Sequence, residues 1–294
     1  MVVVPDSIRD PVQLTNRSGV ALVIVSACAF GALGIFARFA YAGGTNVTGL
    51  LAVRFVIAGA AFTALMFALR RPWPRGRVLA VAVGMGAIGY VSQSFSYFSA
   101  LNYAAVGLVG LLLYVYPTLV CLLSAIFLGE ALTGRKIVLL VVSFAGLALM
   151  LGGGGGSVTG IALGLAAALI YSIYIIVGAR ELRGTDSLGV ATVVSLAAAA
   201  VFTASSLVTP MQLPGTAWSW LAATGLAIFT VIAMVTFFAG LKRVGPSVAS
   251  ILSTMEPVVT VALAWLILGE TLEPVQLLGG VLVLAAASRL AVGR

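Results

Sequence analysis

The sequence predicts an all-α membrane protein in which ten transmembrane helices form two inverted five-helix repeats around a central cavity. Three observations lead to this fold class. The chain is 62% hydrophobic and 8% charged, whereas a soluble domain is roughly 45–50% apolar and about 25% charged. Its two halves resemble each other, and lysine and arginine occur in alternate connectors between the apolar segments.

The internal repeat is clearest where residues 94–130 are compared with residues 234–270, at a constant offset of 140 positions. In both copies a proline, Pro117 or Pro257, is followed eleven residues later by Leu-Gly-Glu. A shared proline and a shared ending at one spacing indicate two homologous halves. The predicted divisions are a cytoplasmic tail at 1–17, a first repeat at 18–151, a glycine-rich extracytoplasmic connector at 152–157 and a second repeat at 158–294.

The first repeat contains five apolar segments of about 20 residues, the length that spans a bilayer. The first segment has no cleavage pattern at its end, so we expect a retained helix rather than a secretory signal. Residues 78–129 contain no charge, and we divide them into two helices at a hairpin near 101–103. The predicted helices are 18–40, 47–69, 77–99, 104–128 and 134–151.

The second repeat follows the glycine tract at 152–156. This tract lacks the Lys-Ser/Thr of a phosphate-binding loop and is predicted to be a connector. Gly160 and Gly164 have the spacing of a close helix contact, which leaves a homodimer open. Residues 187–241 hold two helices that we divide at 210–215. The predicted helices are 158–180, 188–208, 216–240, 245–268 and 273–291.

The basic residues predict the orientation of these helices. Fourteen of the 16 lysines and arginines fall in the even-numbered connectors and the two tails. By the positive-inside rule both termini are therefore cytoplasmic. The same distribution accounts for the net charge of +8, so we expect the lipid bilayer and no nucleic acid as a partner. Because five is an odd number, the second repeat is inserted upside down, and such repeats share a site near the membrane midplane.

Three ionisable residues lie inside the predicted spans, where each costs about 2.5–3.5 kcal/mol on insertion scales. Glu256 lies midway along the ninth helix, with Ser253 and Thr260 on the same face. This carboxylate would hold a substrate ammonium, pass a proton or pair with an arginine. Arg54 fits either a structural contact or substrate binding, and Arg38 lies near enough to the outer end to snorkel.

A stripe of polar and aromatic side chains follows the third helix at helical spacing, and a less polar version follows the eighth. Such a stripe either joins helices by hydrogen bonds or lines a cavity for a mostly apolar small molecule. We interpret it as the wall of a small-molecule cavity that also includes tyrosines of other helices. The residues assigned to this cavity are Tyr90, Gln93, Ser94, Tyr97, Tyr114, Tyr116, Tyr171, Tyr174, Thr230, Met234, Phe237, Ser253 and Glu256.

Pro117 and Pro257 lie in the middle of predicted helices at matched positions. Proline removes a backbone hydrogen bond and kinks a helix, so both are predicted kinks that act as fixed bends or as hinges.

The sequence offers little for a catalytic or metal site. It has no histidine, and its two cysteines, Cys28 and Cys121, lie apart within apolar segments. With one carboxylate inside the spans, a hydrolytic centre lacks its usual groups. We expect no enzymatic activity, no cofactor and no bound metal.

The chain resembles the drug/metabolite transporter superfamily, specifically its EamA-type exporters. The resemblance rests on the paired Pro and Leu-Gly-Glu endings and on residues 237–247, FFAGLKRVGPS, which are similar to that family's junction between helices eight and nine. Among these exporters the chain is most similar to YddG-type bacterial aromatic amino-acid exporters. One departure is Phe30 before Gly31, where members often have tryptophan.

This resemblance implies a secondary transporter of the inner (plasma) membrane that exports aromatic and other apolar amino acids, or related small metabolites, by alternating access. Proton coupling through Glu256 and facilitated diffusion both remain open. One alternative is another cargo, such as a nucleotide-sugar, a phosphorylated metabolite or a drug-like cation; a phosphorylated cargo would require several basic residues in the cavity. The other alternative is a non-transporting membrane scaffold.

Overall fold

The computed structural model describes residues 17–128, 132–152, 156–182 and 184–292, and these are almost entirely helical. A π-helical turn, Met85–Tyr90, joins α4 to α5, and a 3-10 turn, Ser205–Leu207, follows α10. The helices are α1 Arg17–Gly31, α2 Leu33–Ala42, α3 Val47–Ala68, α4 Gly76–Gly84, α5 Val91–Ala100, α6 Val106–Leu113, α7 Tyr116–Leu128, α8 Gly134–Gly152, α9 Val158–Glu181, α10 Ser187–Ala204, α11 Ala217–Ser253, α12 Met255–Leu268 and α13 Pro274–Val292.

Eight of these helical segments are long and apolar enough to cross a membrane, and α12 and α13 contribute two shorter apolar helices, Met255–Leu268 and Pro274–Leu290. The predicted helical membrane protein is therefore confirmed at this level. The eight long segments are Arg17–Ala42, Val47–Ala68, Gly76–Ala100, Val106–Phe127, Gly134–Gly152, Val158–Gly178, Ser187–Leu207 and Ala217–Val244.

The observed bounds of the eighth and ninth helices differ from the predicted ones. Helices were expected at 216–240 and 245–268, but the backbone of α11 stays helical through this connector and the break falls at Thr254. The backbone keeps its helical hydrogen bonds through the short connector. The Arg243 guanidinium also donates to the carbonyl of Ala239, one turn earlier, at 2.9 Å.

The chain nevertheless reverses direction within α11. Ser26 of α1 donates to the carbonyl of Ala233 at 2.7 Å, and Arg243 packs near the start of α1. Towards the end of α1, however, Gly31 lies against the carbonyl of Glu256. From the start of α1 to Ser26, the contacting residues run backwards from Arg243 to Ala233, but at Gly31 the contacting residue is Glu256. The chain therefore turns back near Arg243.

The third predicted helix, 77–99, is divided in the structure by its π-helical turn. Gly86, in this turn, packs so closely on α10 that a Cβ there would lie 2.5 Å from the carbonyl oxygen of Val194. A π-helical turn changes which residues share a helix face. The side chains before and after Tyr90 consequently do not form one regular stripe.

The end of the molecule whose connectors lack basic residues is the more densely packed one, and we call it the neutral end. The large hydrophobic core lies towards it and includes Leu50, Leu101 and Val106, each fully buried. Connectors also bond to each other here, since Asn46 donates to the carbonyl of Pro210 at 2.9 Å. At the opposite, basic end, the described core cluster contains only Val23, Val244 and Ala249 as buried members.

Candidate functional site

A cavity of about 300 Å³ lies inside the helical bundle, with walls from both halves of the chain. Eleven of the thirteen residues assigned to a cavity from the sequence line it, together with Arg54. These eleven are Tyr90, Gln93, Tyr97, Tyr114, Tyr116, Tyr171, Tyr174, Met234, Phe237, Ser253 and Glu256.

Ser94 does not reach the cavity wall. Its side chain is 1% exposed and its hydroxyl donates to Oε1 of the adjacent Gln93 at 3.3 Å. Ser94 belongs to the regular helix α5 together with Gln93 and Tyr97, and its short side chain stays behind theirs. Tyr90, Gln93 and Tyr97 face the cavity without it.

Thr230 is the second assigned residue that the cavity lining does not include. Its hydroxyl donates to the carbonyl of Leu226 one turn earlier at 2.9 Å. The same oxygen accepts a hydrogen bond from Nε of Arg54 at 3.0 Å. Thr230 therefore lies behind the wall and holds a residue that does line the cavity.

Several lining residues had not been assigned to the cavity from the sequence. They are mostly small or apolar, and such side chains do not stand out in an apolar helix. Phe98 and Phe238 carried a usable signal, because they are identical at the repeat offset of 140 positions. The residues missed are Ser26, Ala27, Phe30, Leu33, Phe98, Leu113, Val194 and Phe238.

Five tyrosines form a continuous row of ring contacts along the cavity, which we call the tyrosine wall. Tyr114 contacts Tyr116 with ring centroids 5.6 Å apart, and Tyr116 contacts Tyr171 at 4.8 Å. The row continues from Tyr171 to Tyr174 at 6.2 Å and from Tyr174 to Tyr90 at 6.0 Å. Aromatic pairs at these separations stabilise each other beyond the area they bury. The wall presents ring surface and hydroxyls to a ligand.

Glu256 lies where α12 approaches α1 and α6. The Tyr114 hydroxyl donates towards Oε2 of Glu256 at 3.0 Å and towards the carbonyl oxygen of Ser253 at 2.6 Å. That carbonyl lies four residues before Pro257, which has no N–H to offer it. In the described part of the chain, no lysine or arginine nitrogen comes within 4 Å of the Glu256 carboxylate.

Arg54 is 4% exposed and is held by neutral groups. Besides the bond to Thr230, its Nη2 donates to the Tyr90 hydroxyl at 3.4 Å. The guanidinium carbon also lies over the rings of Phe55 at 5.0 Å and Phe98 at 5.2 Å. Hydrogen bonds of a charged group contribute about 1.5–3 kcal/mol and cation–π contacts about 0.5–2 kcal/mol. These contacts offset much of the cost of burying the cation.

An ion pair lies at the neutral end. Nη2 of Arg38 lies 3.5 Å from Oε1 of Glu270 and donates to the carbonyl of Ala104 at 3.1 Å. Oε2 of Glu270 accepts from the backbone N–H of Gly107 at 3.3 Å, at the start of α6. Arg38, on α2, thus contacts two connecting segments in addition to lying near a helix end, as the sequence predicted.

The arrangement is suited to binding a small molecule. The two charged groups of the cavity stand apart, and the remaining lining residues are aromatic, apolar or uncharged polar ones. Within the described ranges, no group of three histidine, cysteine, aspartate or glutamate side chains could hold a metal ion. An internal cavity lined by membrane-length helices from both halves of a repeat is the arrangement typical of membrane transporters.

The chain belongs to the EamA-like transporter family. The model of this family matches residues 17–152 and, separately, residues 158–291. The resemblance to EamA-type transporters, made from the paired endings of the two halves, is therefore confirmed, and so are transport and a membrane location in general terms.

Three relatives are named as transporters or exporters. An uncharacterised transporter of Archaeoglobus fulgidus is 30% identical over 272 residues, covering 92% of this chain and 94% of that protein. The aromatic amino acid exporter YddG of Ancylobacter novellus is 31% identical over 229 residues, covering 73% and 77%. A probable terminal-alkyne amino-acid exporter of Streptantibioticus cattleyicolor is 28% identical over 253 residues, covering 82% and 83%.

A solved crystal structure also has this fold. It superposes with a TM-score of 0.64 at 26% sequence identity, and the match covers 92% of this chain and 95% of the solved one.

Proposed function

We propose that this chain is a secondary transporter that exports aromatic and other apolar amino acids, or closely related metabolites, by alternating access. The observation that carries the proposal is the tyrosine wall inside the cavity of an EamA-family member. Ring surface with a few polar groups suits an apolar or aromatic side chain bearing a polar end. Two relatives that are named as amino-acid exporters support the same cargo.

For the architecture, we propose ten spans in two inverted repeats. The two separate family matches support this division. The helix breaks at Tyr114, where α6 ends, and at Thr254, where α11 ends, also lie 140 positions apart. In this arrangement α1 with α2, α4 with α5 and α6 with α7 each form one span, and α11 contributes to two.

We further propose that both termini lie in the cytoplasm and that the protein resides in the inner (plasma) membrane. The basic end would then face the cytoplasm, in agreement with the positive-inside rule. Two cross-connector ion pairs lie at that end, Arg77 with Glu181 at 2.7 Å and Arg71 with Asp186 at 3.5 Å.

A phosphorylated cargo fits the cavity less well. Among the lining residues that the structure describes, Arg54 is the only basic one. A phosphate or nucleotide-sugar would need several basic groups to replace its hydration.

Counterflow in proteoliposomes with a panel of labelled amino acids tests the proposed cargo. We expect phenylalanine, tyrosine and tryptophan to exchange well above protein-free liposomes. Repeating the assay with and without an imposed pH gradient separates proton coupling from facilitated diffusion. If no amino acid moves above the protein-free background, the proposed cargo is wrong.

A truncation of the tyrosine wall tests whether it forms the binding surface. Tyr171→Ala removes ring contacts at 4.8 and 6.2 Å from the middle of the wall. A solute ring packed on Tyr171 would lose an aromatic contact of about 1 kcal/mol, so transport of phenylalanine should fall roughly fivefold. The matched control is Tyr103→Ala, because Tyr103 is 52% exposed in a connector. Equal transport by the two folded variants would contradict a role for the wall.

A further inference from the structure

Arg54 is a buried cation that has no anionic partner among the described residues. Its guanidinium lines the cavity, yet no carboxylate of a described residue lies within 4 Å of it. The described ion pairs lie near the two ends of the molecule, whereas Arg54 lies in the interior. A buried cation in a membrane span normally has a partner, so the missing partner calls for an explanation.

The groups that do hold Arg54 leave part of the guanidinium unused. Thr230 accepts from Nε at 3.0 Å and Tyr90 accepts from Nη2 at a longer 3.4 Å. A guanidinium has more N–H donors than these two acceptors can satisfy. The rings of Phe55 and Phe98 attract the cation but accept no strong hydrogen bond. The unused donors form a planar fork that matches the two oxygens of a carboxylate.

The internal repeat supports a specific purpose for this charge. The counterpart of Arg54 at the repeat offset is Val194, which also lines the cavity. The fold therefore accommodates an apolar residue at the equivalent place. If the repeated fold itself required a cation here, we would expect one in both halves. The cation is instead present on one side of the cavity only.

We propose that Arg54 binds the carboxylate of the transported solute, an inference that rests on the proposed export of amino acids. Tyr90 lies at the end of the tyrosine wall and also contacts Arg54. A carboxylate on the guanidinium would therefore place an aromatic side chain against Tyr90 and Tyr174. Arg54 selects solutes by their anionic end, and the wall selects them by their apolar end.

Competition in counterflow of labelled phenylalanine tests this in the wild-type protein. The competitors share one aromatic side chain and differ in charge: unlabelled phenylalanine, 3-phenylpropionate, phenylalaninamide and 2-phenylethylamine. We expect the two carboxylates to compete at least about tenfold better than the amide and the amine, since bidentate hydrogen bonds between ions are strong. Phenylalanine exchange with equal competition by the amide overturns the role of Arg54. Absence of phenylalanine exchange overturns the proposed function instead.

A matched pair of variants tests the role of Arg54 without removing it. Thr230→Val deletes the hydroxyl that orients Nε, and Thr230→Ser keeps it. We expect the valine variant to lose most of the preference for phenylalanine over phenylalaninamide, while the serine variant retains it. Arg54→Gln, where it folds, should abolish the preference. An unchanged preference in folded Thr230→Val and Arg54→Gln proteins would show that the carboxylate is recognised elsewhere.

Discussion

Arg54 and Glu256 carry the charges on the described wall of the cavity, and neither has a like residue at the equivalent place in the other half. The repeat counterpart of Arg54 is Val194 and that of Glu256 is Tyr116, and all four line the cavity. One half of the chain therefore contributes a positive group and the other a negative group. At this scale, the departures from the internal repeat determine the electrostatics of the site.

Glu256 provides a test of energy coupling. Glu256→Gln keeps the size of the side chain and its contact with Tyr114, but it removes the carboxylate that could carry a proton. If transport is proton-coupled, an outside-acid gradient should accelerate export by the wild type and should have little effect on the variant. Export rates with and without the gradient provide the measurement.

Glu273→Gln is the matched control for this experiment, because Glu273 is an exposed residue of a connector. It should keep the wild-type response to the gradient. The same gradient dependence in wild type and Glu256→Gln would reduce Glu256 to a binding or packing residue.

At the scale of elements, the breaks beside the two prolines determine how the cavity is bounded. The helix is interrupted at Tyr114, ahead of Pro117, and at Thr254, ahead of Pro257. In the second break, Pro257 leaves the Ser253 carbonyl without a helical donor, and the Tyr114 hydroxyl from α6 supplies one at 2.6 Å. A defect in one helix is thereby satisfied by a residue of the other half of the chain.

A double-mutant cycle between Tyr114→Phe and Pro257→Ala tests this contact. In the wild-type background Tyr114→Phe leaves a buried acceptor unsatisfied, and the free energy of unfolding should fall by about 1–3 kcal/mol. In the Pro257→Ala background the restored N–H serves the Ser253 carbonyl, so the same change should cost about 1 kcal/mol less. Unfolding in mixed detergent micelles measures the four values. Strictly additive effects would show that the hydroxyl does not substitute for the missing donor.

At the scale of the molecule, the two ends differ in how tightly they close the cavity. The neutral end combines the large core with the Arg38–Glu270 ion pair. Towards the basic end lies a second cavity of about 410 Å³, whose lining includes Arg71, Lys242 and Arg243. Phe238 lines both cavities. The larger described core cluster and the Arg38–Glu270 ion pair thus both lie at the neutral end.

The ion pair is expected to hold the neutral end closed. Glu270→Gln weakens its attraction for Arg38 and should increase access to the cavity from that end. In a variant without Cys28 and Cys121, the labelling rate of Ala27→Cys by an impermeant thiol reagent added at the neutral end should rise severalfold. Glu273→Gln, in the same connector, should leave the rate unchanged. Equal labelling rates with and without Glu270→Gln would exclude this closing role.

Much of the coarse fold and about half of the site could be predicted, because they depend on residue types that recur at regular spacing along the chain. A bilayer requires long apolar segments, so composition and segment length predicted the helical membrane protein. The paired endings led to the transporter family, and helical spacing brought Tyr90, Gln93 and Tyr97 to one face. The expected interruption of the helix between 240 and 245 is not observed, because hydropathy reports which residues are apolar and not where a helix stops.

The sequence by itself determined that this chain is a helical membrane protein with an internal repeat, since those properties depend on residue types and their spacing, and its resemblance to a known family implied transport. Only the tertiary structure decided that Ser94 turns away from the cavity and that Thr230 serves Arg54. The reason is physical: Arg54 and Thr230 are 176 positions apart, and Tyr114 and Ser253 are 139 apart. Such contacts depend on the rotation of each helix and on its packing, including a π-helical turn that no periodic pattern announces.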